Sequence, residues 1–288
     1  MIEYHSLKEL QELSIRQKKE VWEIVQQEDM DTSERTAEQS YAQMLEMYHA
    51  MEDADARYDG NLRSASKRAG GDGEKLHQYN EAQKNICGPF VGKVMEKSIK
   101  MGESNACMRR IVAAPTAGSC GVLPAVLLSY HEDFDADEEQ MVHGLYVAAG
   151  IGKVIAENAF IAGAAGGCQA EIGSASAMAA GALVYLQGGD AETMMHAAGL
   201  ALKNMLGLAC DPVAGLVEVP CIKRNSYGAV NALTSAQLAL AGIRSAIAPD
   251  DVIDSMRRIG NQMPACLKET SEGGLAVSDS AAEYLGSK

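Results

Sequence analysis

The chain has 288 residues, 47% of them hydrophobic and 22% charged, with a formal net charge of −14. That composition fits a globular protein with a sizeable core, and the lack of a basic footprint excludes nucleic-acid binding and disfavours an anionic membrane surface. Aromatic residues make up only 5%, so the core must come from Ala, Leu, Ile, Val and Met, small enough for helices to approach closely.

The start, MIEYHSLKEL, lacks the apolar stretch of a signal peptide. Ser6 with Glu9 predicts a capping box. Leu7, Leu10, Leu13, Val21, Ile24 and Val25 follow as an irregular helical stripe. Thr36 with Gln39 repeats the capping signal, and Tyr41, Met44, Leu45, Tyr48 and Met51 continue at helical spacing. Residues 52–80 are polar and glycine-rich and read as a loop. Residues 81–110 read as helix. Pro115 disfavours helix at Ala114, which predicts a turn around 115–119 and then a helix. Asp135 or Asp137 caps a helix starting near Glu138. From 139 to 247 helix follows helix, broken at Gly166-Gly167 and Gly188-Gly189, and residues 263–288 read as a loop and polar tail. No period-two alternation persists, so the expected fold is mainly α. The uncharged runs 111–130, 172–189 and 225–243 contain prolines or polar residues, so they are expected as buried core and not as membrane spans.

Seven cysteines without a secretion signal point to a reducing compartment, the cytoplasm, where thiols serve metals or catalysis. Cys87, Cys107, Cys120 and Cys266 stand alone and are expected to pack as small hydrophobes. Cys168 follows Gly166-Gly167 and is expected to open a helix whose amides favour the thiolate. Cys210 precedes the turn signal Asp211-Pro212. Cys221 lies beside Lys223 and Arg224. The spacing among these three matches no zinc or ferredoxin pattern. Gly150 and Gly152 lack the rest of a dinucleotide fingerprint, Gly152-Lys153 the rest of a P-loop, and no histidine sits at ligand spacing from another.

Four segments resemble the iron–sulfur L-serine dehydratase alpha chain: APTAGSCGVLPAVLL (114–128), GGCQAEIGSASAMAA (166–180), CDPVAGLVEVPCIKRN (210–225) and MPACLKETSEGGLA (263–276). The resemblance implies one alanine- and glycine-rich helical catalytic domain over 1–288, with N-terminal helices over about 1–55 and a cluster-binding core over about 60–276. It implies that Cys168, Cys210 and Cys221 ligate three irons of a 4Fe-4S cluster. Some members place a C-terminal cysteine near the fourth iron; this sequence shows none after Cys266, so that iron is expected to be open. The implied reaction is dehydration of L-serine to pyruvate and ammonia, as in amino-acid degradation and gluconeogenesis, with the open iron as Lewis acid. The same elimination on L-cysteine or L-threonine is the alternative. A separate beta chain is implied as partner in a hetero-oligomer, because the family's S-S-S-H-T segment is missing here. The family's S-x-S-G-L-x-G-G-D loop is matched by Ser64, Ser66, Gly70, Gly71 and Asp72, with Lys67 and Arg68 departing from it. Expected substrate contacts are Ser64, Gly71 and Asp72, with Thr116, Ala117, Gly118 and Ser119 forming an anion-binding helix start. Lys75 or a partner-chain residue is the expected base.

Overall fold

The computed structural model describes residues 2–286. Among them it has thirteen α-helices and no strand, as the sequence predicts. In order these are α1 (Leu7–Gln17), α2 (Val21–Ser33), α3 (Ala37–Ala56), α4 (Asp72–Glu81), α5 (Pro89–Ala106), α6 (Val122–Asp133) and α7 (Glu138–Asn158). Then come α8 (Gly163–Gly166), α9 (Ser174–Leu186), α10 (Ala191–Asn204), α11 (Cys221–Leu240), α12 (Pro249–Gln262) and α13 (Asp279–Gly286).

The centre is α9. Every residue from Ser174 to Val184 is buried, and a helix apolar on all sides belongs inside a bundle. It packs against α6, α7, α10 and α11. Glycine permits the closest approaches: a Cβ on Gly181 would lie 2.1 Å from Ile151 Cδ1 of α7. Ser174 Oγ has no hydrogen-bond partner, but the polar atoms farther along the helix are tied in. Ser176 Oγ donates to Gly228 O at 2.8 Å, and Asn231 Nδ2 donates to Ser176 Oγ at 2.8 Å and to Ala201 O at 2.9 Å, tying α9, α10 and α11 together.

The N-terminal helices lie over α7, and their apolar stripe (Leu7, Leu10, Leu13, Val21, Ile24, Val25) is buried with Tyr48 and Met51. Thr36–Gln39 and Asp137–Gln140 form reciprocal capping boxes. The first cap differs in one bond: Ser6 accepts from Glu9 N, but Glu9 reaches back to His5 N and not to Ser6 N.

Four sequence expectations are corrected. The polar loop is shorter than 52–80, because α3 runs to Ala56 and α4 starts at Asp72. Helix α5 begins only at Pro89, after an irregular stretch. The tail is not all loop: Ser278 Oγ accepts from Ala281 N at 3.2 Å and starts α13; its last two residues lie outside the described range. Cys87 is exposed and not packed, whereas Cys120 is fully buried. No described helix is long and apolar enough to cross a membrane.

Candidate metal and substrate site

Three cysteine-bearing segments meet at one end of α9 and α11. Cys168 precedes a π-helical turn (Gln169–Gly173) that runs straight into α9. The turn before it is tight: Gly167 has φ +78°, and a Cβ there would sit 2.6 Å from Met263 Sδ and 2.9 Å from Leu208 O. Gln169 N then donates to Leu208 O at 3.0 Å, and Gly207 N to Gln169 Oε1 at 2.9 Å. Cys210 is fixed from the other side, with Cys210 N donating to Leu267 O at 2.9 Å and Glu269 N to Cys210 O at 2.7 Å. Cys221 is the first residue of α11.

Cys168 and Cys210 are each 3% exposed, and Cys221 is half-buried. Cys168 takes no side-chain cap hydrogen bond from the turn that it opens, and the charge of Arg224 and the Ile172 amide favour its thiolate. Burial outweighs both and pushes the Cys168 thiol up to about 11. Burial and the Cys168 charge push Cys221 up to about 12, and the same two causes raise Cys210 further. Three thiols, two of them buried, that repel one another when ionised are a donor set that calls for cations.

The spacing narrows which cations. One tetrahedral zinc with bonds of about 2.3 Å holds thiolates roughly 3.8 Å apart. Among the described residues, only His49, Glu52 and Glu138, on the exposed α3–α7 surface, bring three ligand atoms within 4.8 Å of one another. The three cysteine sulfurs do not all lie within that distance of one another. The space beside them is kept open by glycine, since a Cβ on Gly163 would lie 2.7 Å from Cys210 Sγ.

Glu171 sits at the centre of this site. Its Oε1 accepts from Thr116 Oγ1 at 2.7 Å, and its Oε2 lies 4.0 Å from Cys210 Sγ. Burial holds its carboxyl above the usual range despite the Thr116 hydrogen bond. The turn that supplies Thr116 forms as predicted, a single 3-10 turn (Ala117–Ser119) capped reciprocally by Thr116 and Ser119. Asn225 fastens it to α11 by donating to Gly118 O at 2.9 Å and accepting from Gly121 N at 2.8 Å. The Ala117 and Gly118 amides open this turn and point no bond into it, while a Cβ on Gly118 would lie 3.0 Å from Glu171 Oε1.

The 57–71 loop approaches through α11. Ser64 Oγ bonds Ser66 Oγ at 3.0 Å, and Ser66 Oγ donates to Glu218 Oε2 at 2.7 Å. Gly71 starts α4 at φ +86°. The amides after it are already taken: Asp72 N and Gly73 N donate to the carboxylate of Glu103 at 2.8 and 3.1 Å. Asp72 itself pairs with Lys75 at 2.8 Å and with Lys223 at 2.5 Å, which holds its carboxyl below the usual range. Lys75 is 79% exposed, and its bond to Asp72 raises its pKa, the opposite of what a base at neutral pH requires.

Sequence reasoning missed Glu171, and it placed Arg224 beside Cys221 without its pairing to Asp211. Each stands three residues after a cysteine that opens a helix, Cys168 and Cys221, and that spacing returns a side chain to the same helix face.

Residues 16–276 match the family model described as serine dehydratase alpha chain. The chain belongs to that family. It is 44% identical over 280 residues to the probable L-serine dehydratase alpha chain of Bacillus subtilis (strain 168), covering 97% of this chain and 93% of the relative. It is 42% identical over 262 residues to the L-serine dehydratase alpha chain of Peptoniphilus asaccharolyticus, covering 90% and 89%. The L-serine dehydratase of Helicobacter pylori (strain J99) is 35% identical over 281 residues, 95% of this chain but 61% of the relative, so there the corresponding region lies within a longer polypeptide.

Proposed function

We propose that the chain is the catalytic alpha subunit of an L-serine dehydratase, with Cys168, Cys210 and Cys221 holding a 4Fe-4S cluster. The observation that carries this reading is the meeting of two buried thiols and the half-buried Cys221 with Glu171 and the Thr116 turn, in a chain whose relatives are named for serine dehydration. When bound, the cluster supplies a Lewis acid for the substrate hydroxyl, which is otherwise a poor leaving group.

The protein groups have distinct tasks. The free Ala117 and Gly118 amides, with the Thr116 and Ser119 hydroxyls, receive the substrate carboxylate at a helix start. Glu171 faces this turn and supplies negative charge for the substrate ammonium. Asp72, Lys75 and Lys223 form a charged rim, with Ser64 and Gly71 shaping the loop behind it. Losing the α-proton and β-hydroxyl converts serine to 2-aminoacrylate. Its imine tautomer takes up water and releases ammonia and pyruvate. Lys75 accepts the α-proton only once Asp72 releases it and it sheds its own proton. A residue of a separate beta chain is the other source of the base, and that chain is the proposed partner in a hetero-oligomer. The reducing setting such a cluster needs is the cytoplasm.

Anaerobic purification with iron and sulfide analysis, followed by a serine assay, tests the reading. Wild type should carry iron, sulfide, brown absorbance and serine turnover, and Cys210→Ala should lose all four. Serine turnover by an iron-free Cys210→Ala protein would refute it. Turnover of L-cysteine or L-threonine above that of L-serine would reassign the substrate.

A further inference from the structure

Arg224, three residues after Cys221 on α11, is fastened to the segment that bears Cys210. Its Nη1 donates to Ala209 O at 2.7 Å and its Nη2 lies 2.9 Å from Asp211 Oδ1, the residues on either side of Cys210, and its charge acts on both Cys168 and Cys221. The ion pair is enclosed, with side chains 16% and 6% exposed. Asp211 is fixed in turn: its Oδ2 accepts from Leu275 N at 2.8 Å. Gly274, at φ +59°, brings that backbone so close that a Cβ there would lie 2.4 Å from Asp211 Oδ2. A continuous set of contacts therefore runs from the segment after α12, through Asp211 and Arg224, to the backbone beside Cys210, with the Arg224 charge acting on Cys168.

A planar guanidinium suits this place. Its fork of five donors can serve a carbonyl, a carboxylate and a sulfur at fixed angles, which a flexible ammonium cannot. Asp211 supplies the counter-charge for the guanidinium inside the protein. A donor to a ligating sulfur withdraws electron density from the metal centre and fixes the ligand's direction.

We propose that Arg224, oriented by Asp211, is a positioning residue for the metal centre: it fixes and hydrogen-bonds the Cys168 ligand, and so governs how firmly the centre keeps its iron and at what potential it is reduced. The inference rests on the cluster reading above. The residue need touch neither substrate nor reacting atoms, so its signature lies in the metal centre and not primarily in turnover.

The test uses anaerobically purified wild type, Arg224→Gln, Arg224→Lys and Asp211→Asn. Three quantities are read: iron and sulfide per chain, the rate of iron loss to a chelator, and the midpoint potential from a titration followed by electron paramagnetic resonance. Arg224→Gln should lose iron about tenfold faster or more, the range expected when the partner of a metal ligand is removed, and its midpoint should move to a more negative potential. Arg224→Lys keeps the positive charge and should restore the midpoint, but not the slow iron loss, because it cannot hold all three acceptors. Asp211→Asn should accelerate iron loss with a smaller shift in midpoint. Iron retention and midpoint unchanged in Arg224→Gln would overturn the proposal. Should that variant fail to fold, iron loss at the wild-type rate in both Arg224→Lys and Asp211→Asn would overturn it equally. Wild type without iron and sulfide is a separate result that removes the cluster reading itself, and this proposal with it. A wild-type cluster indifferent to all three substitutions removes this proposal alone.

Discussion

Glu103 offers a direct test of how the substrate-side loop is held. It lies on α5, is 1% exposed, and its carboxylate accepts three hydrogen bonds: from Asp72 N at 2.8 Å, Gly73 N at 3.1 Å and Tyr58 OH at 2.6 Å. Two of these donors are first-turn amides of α4, where a negative charge also gains from the helix dipole. Glu103→Ala leaves all three donors without an acceptor. Hydrogen bonds to a charged group contribute about 1.5–3 kcal/mol each. Gly73 is shielded, but Asp72 and Tyr58 are partly exposed and can take up water, so the expected loss is about 3–5 kcal/mol for three bonds with partial rehydration. At roughly 2–4 °C per kcal/mol for a chain of this size, the melting temperature should fall by about 10 °C. Glu103→Gln keeps one acceptor oxygen and the shape, and should lose about 1–2 kcal/mol. The assay is thermal unfolding of anaerobic protein combined with hydrogen exchange at the Asp72 and Gly73 amides. Exchange there should quicken in Glu103→Ala, and KM for L-serine should rise as the loop carrying Ser64 and Asp72 loosens. A Glu103→Ala protein within about 0.5 kcal/mol of wild type, with those amides equally protected, would refute the reasoning.

Two further outcomes follow from the packing and the buried ionisable groups. In Gly121→Ala the new Cβ would stand 2.4 Å from Ser98 O and 3.1 Å from Asn225 Cβ; backbone cannot yield as a side-chain tip can, so the variant should lose about 1–3 kcal/mol, and through Asn225 it should raise KM for L-serine, both measurable by unfolding and steady-state assays. His143 stacks on Trp22 with ring centroids 3.6 Å apart, and burial lowers its pKa below 6.5. The unfolded chain therefore takes the proton first, so this contribution is complete above pH of about 6.5 and declines as pH falls toward the folded value. Urea midpoints across that range should drop on acidification, and His143→Gln should flatten the slope; an unaltered slope would show that another group is responsible.

Local signals were legible and tertiary ones were not. The caps at Thr36 and Asp137 need only a residue three positions away, and both form. The Pro115 turn is equally local and also forms. Helix α4 was hidden because its glycine-rich start has no side-chain cap of its own; the acceptor comes from Glu103, about thirty residues on. The cysteines show the same limit. Helical or turn context could be read around each, but the gaps between them carry no pattern, because long-range bonds such as Gln169 to Leu208 and Cys210 to Leu267 assemble the site. Likeness in four segments, and not spacing, joined the three residues. Lys75, one of two expected sources of the base, shows the same limit, since only the geometry reveals Asp72 beside it, raising its pKa.

Those long-range bonds also say how the metal centre and the fold divide their tasks. The segments bearing Cys168 and Cys210 are fastened by backbone and amide hydrogen bonds that require no metal, and α11, which begins at Cys221, is packed along α5, α9 and α10. A small zinc module spends its metal-binding energy on folding; here a core running from Tyr4 to Met256 already fixes the backbone. What that core does not offer is a comfortable setting for three thiolates, since burial and mutual repulsion raise every one of them. The fold thus holds the three sulfurs in place while disfavouring their charged form. On the reading proposed above, binding of a cationic group would stabilise the thiolates without first having to order the chain, which would leave Arg224 and Glu171 to adjust the centre's properties and not its existence.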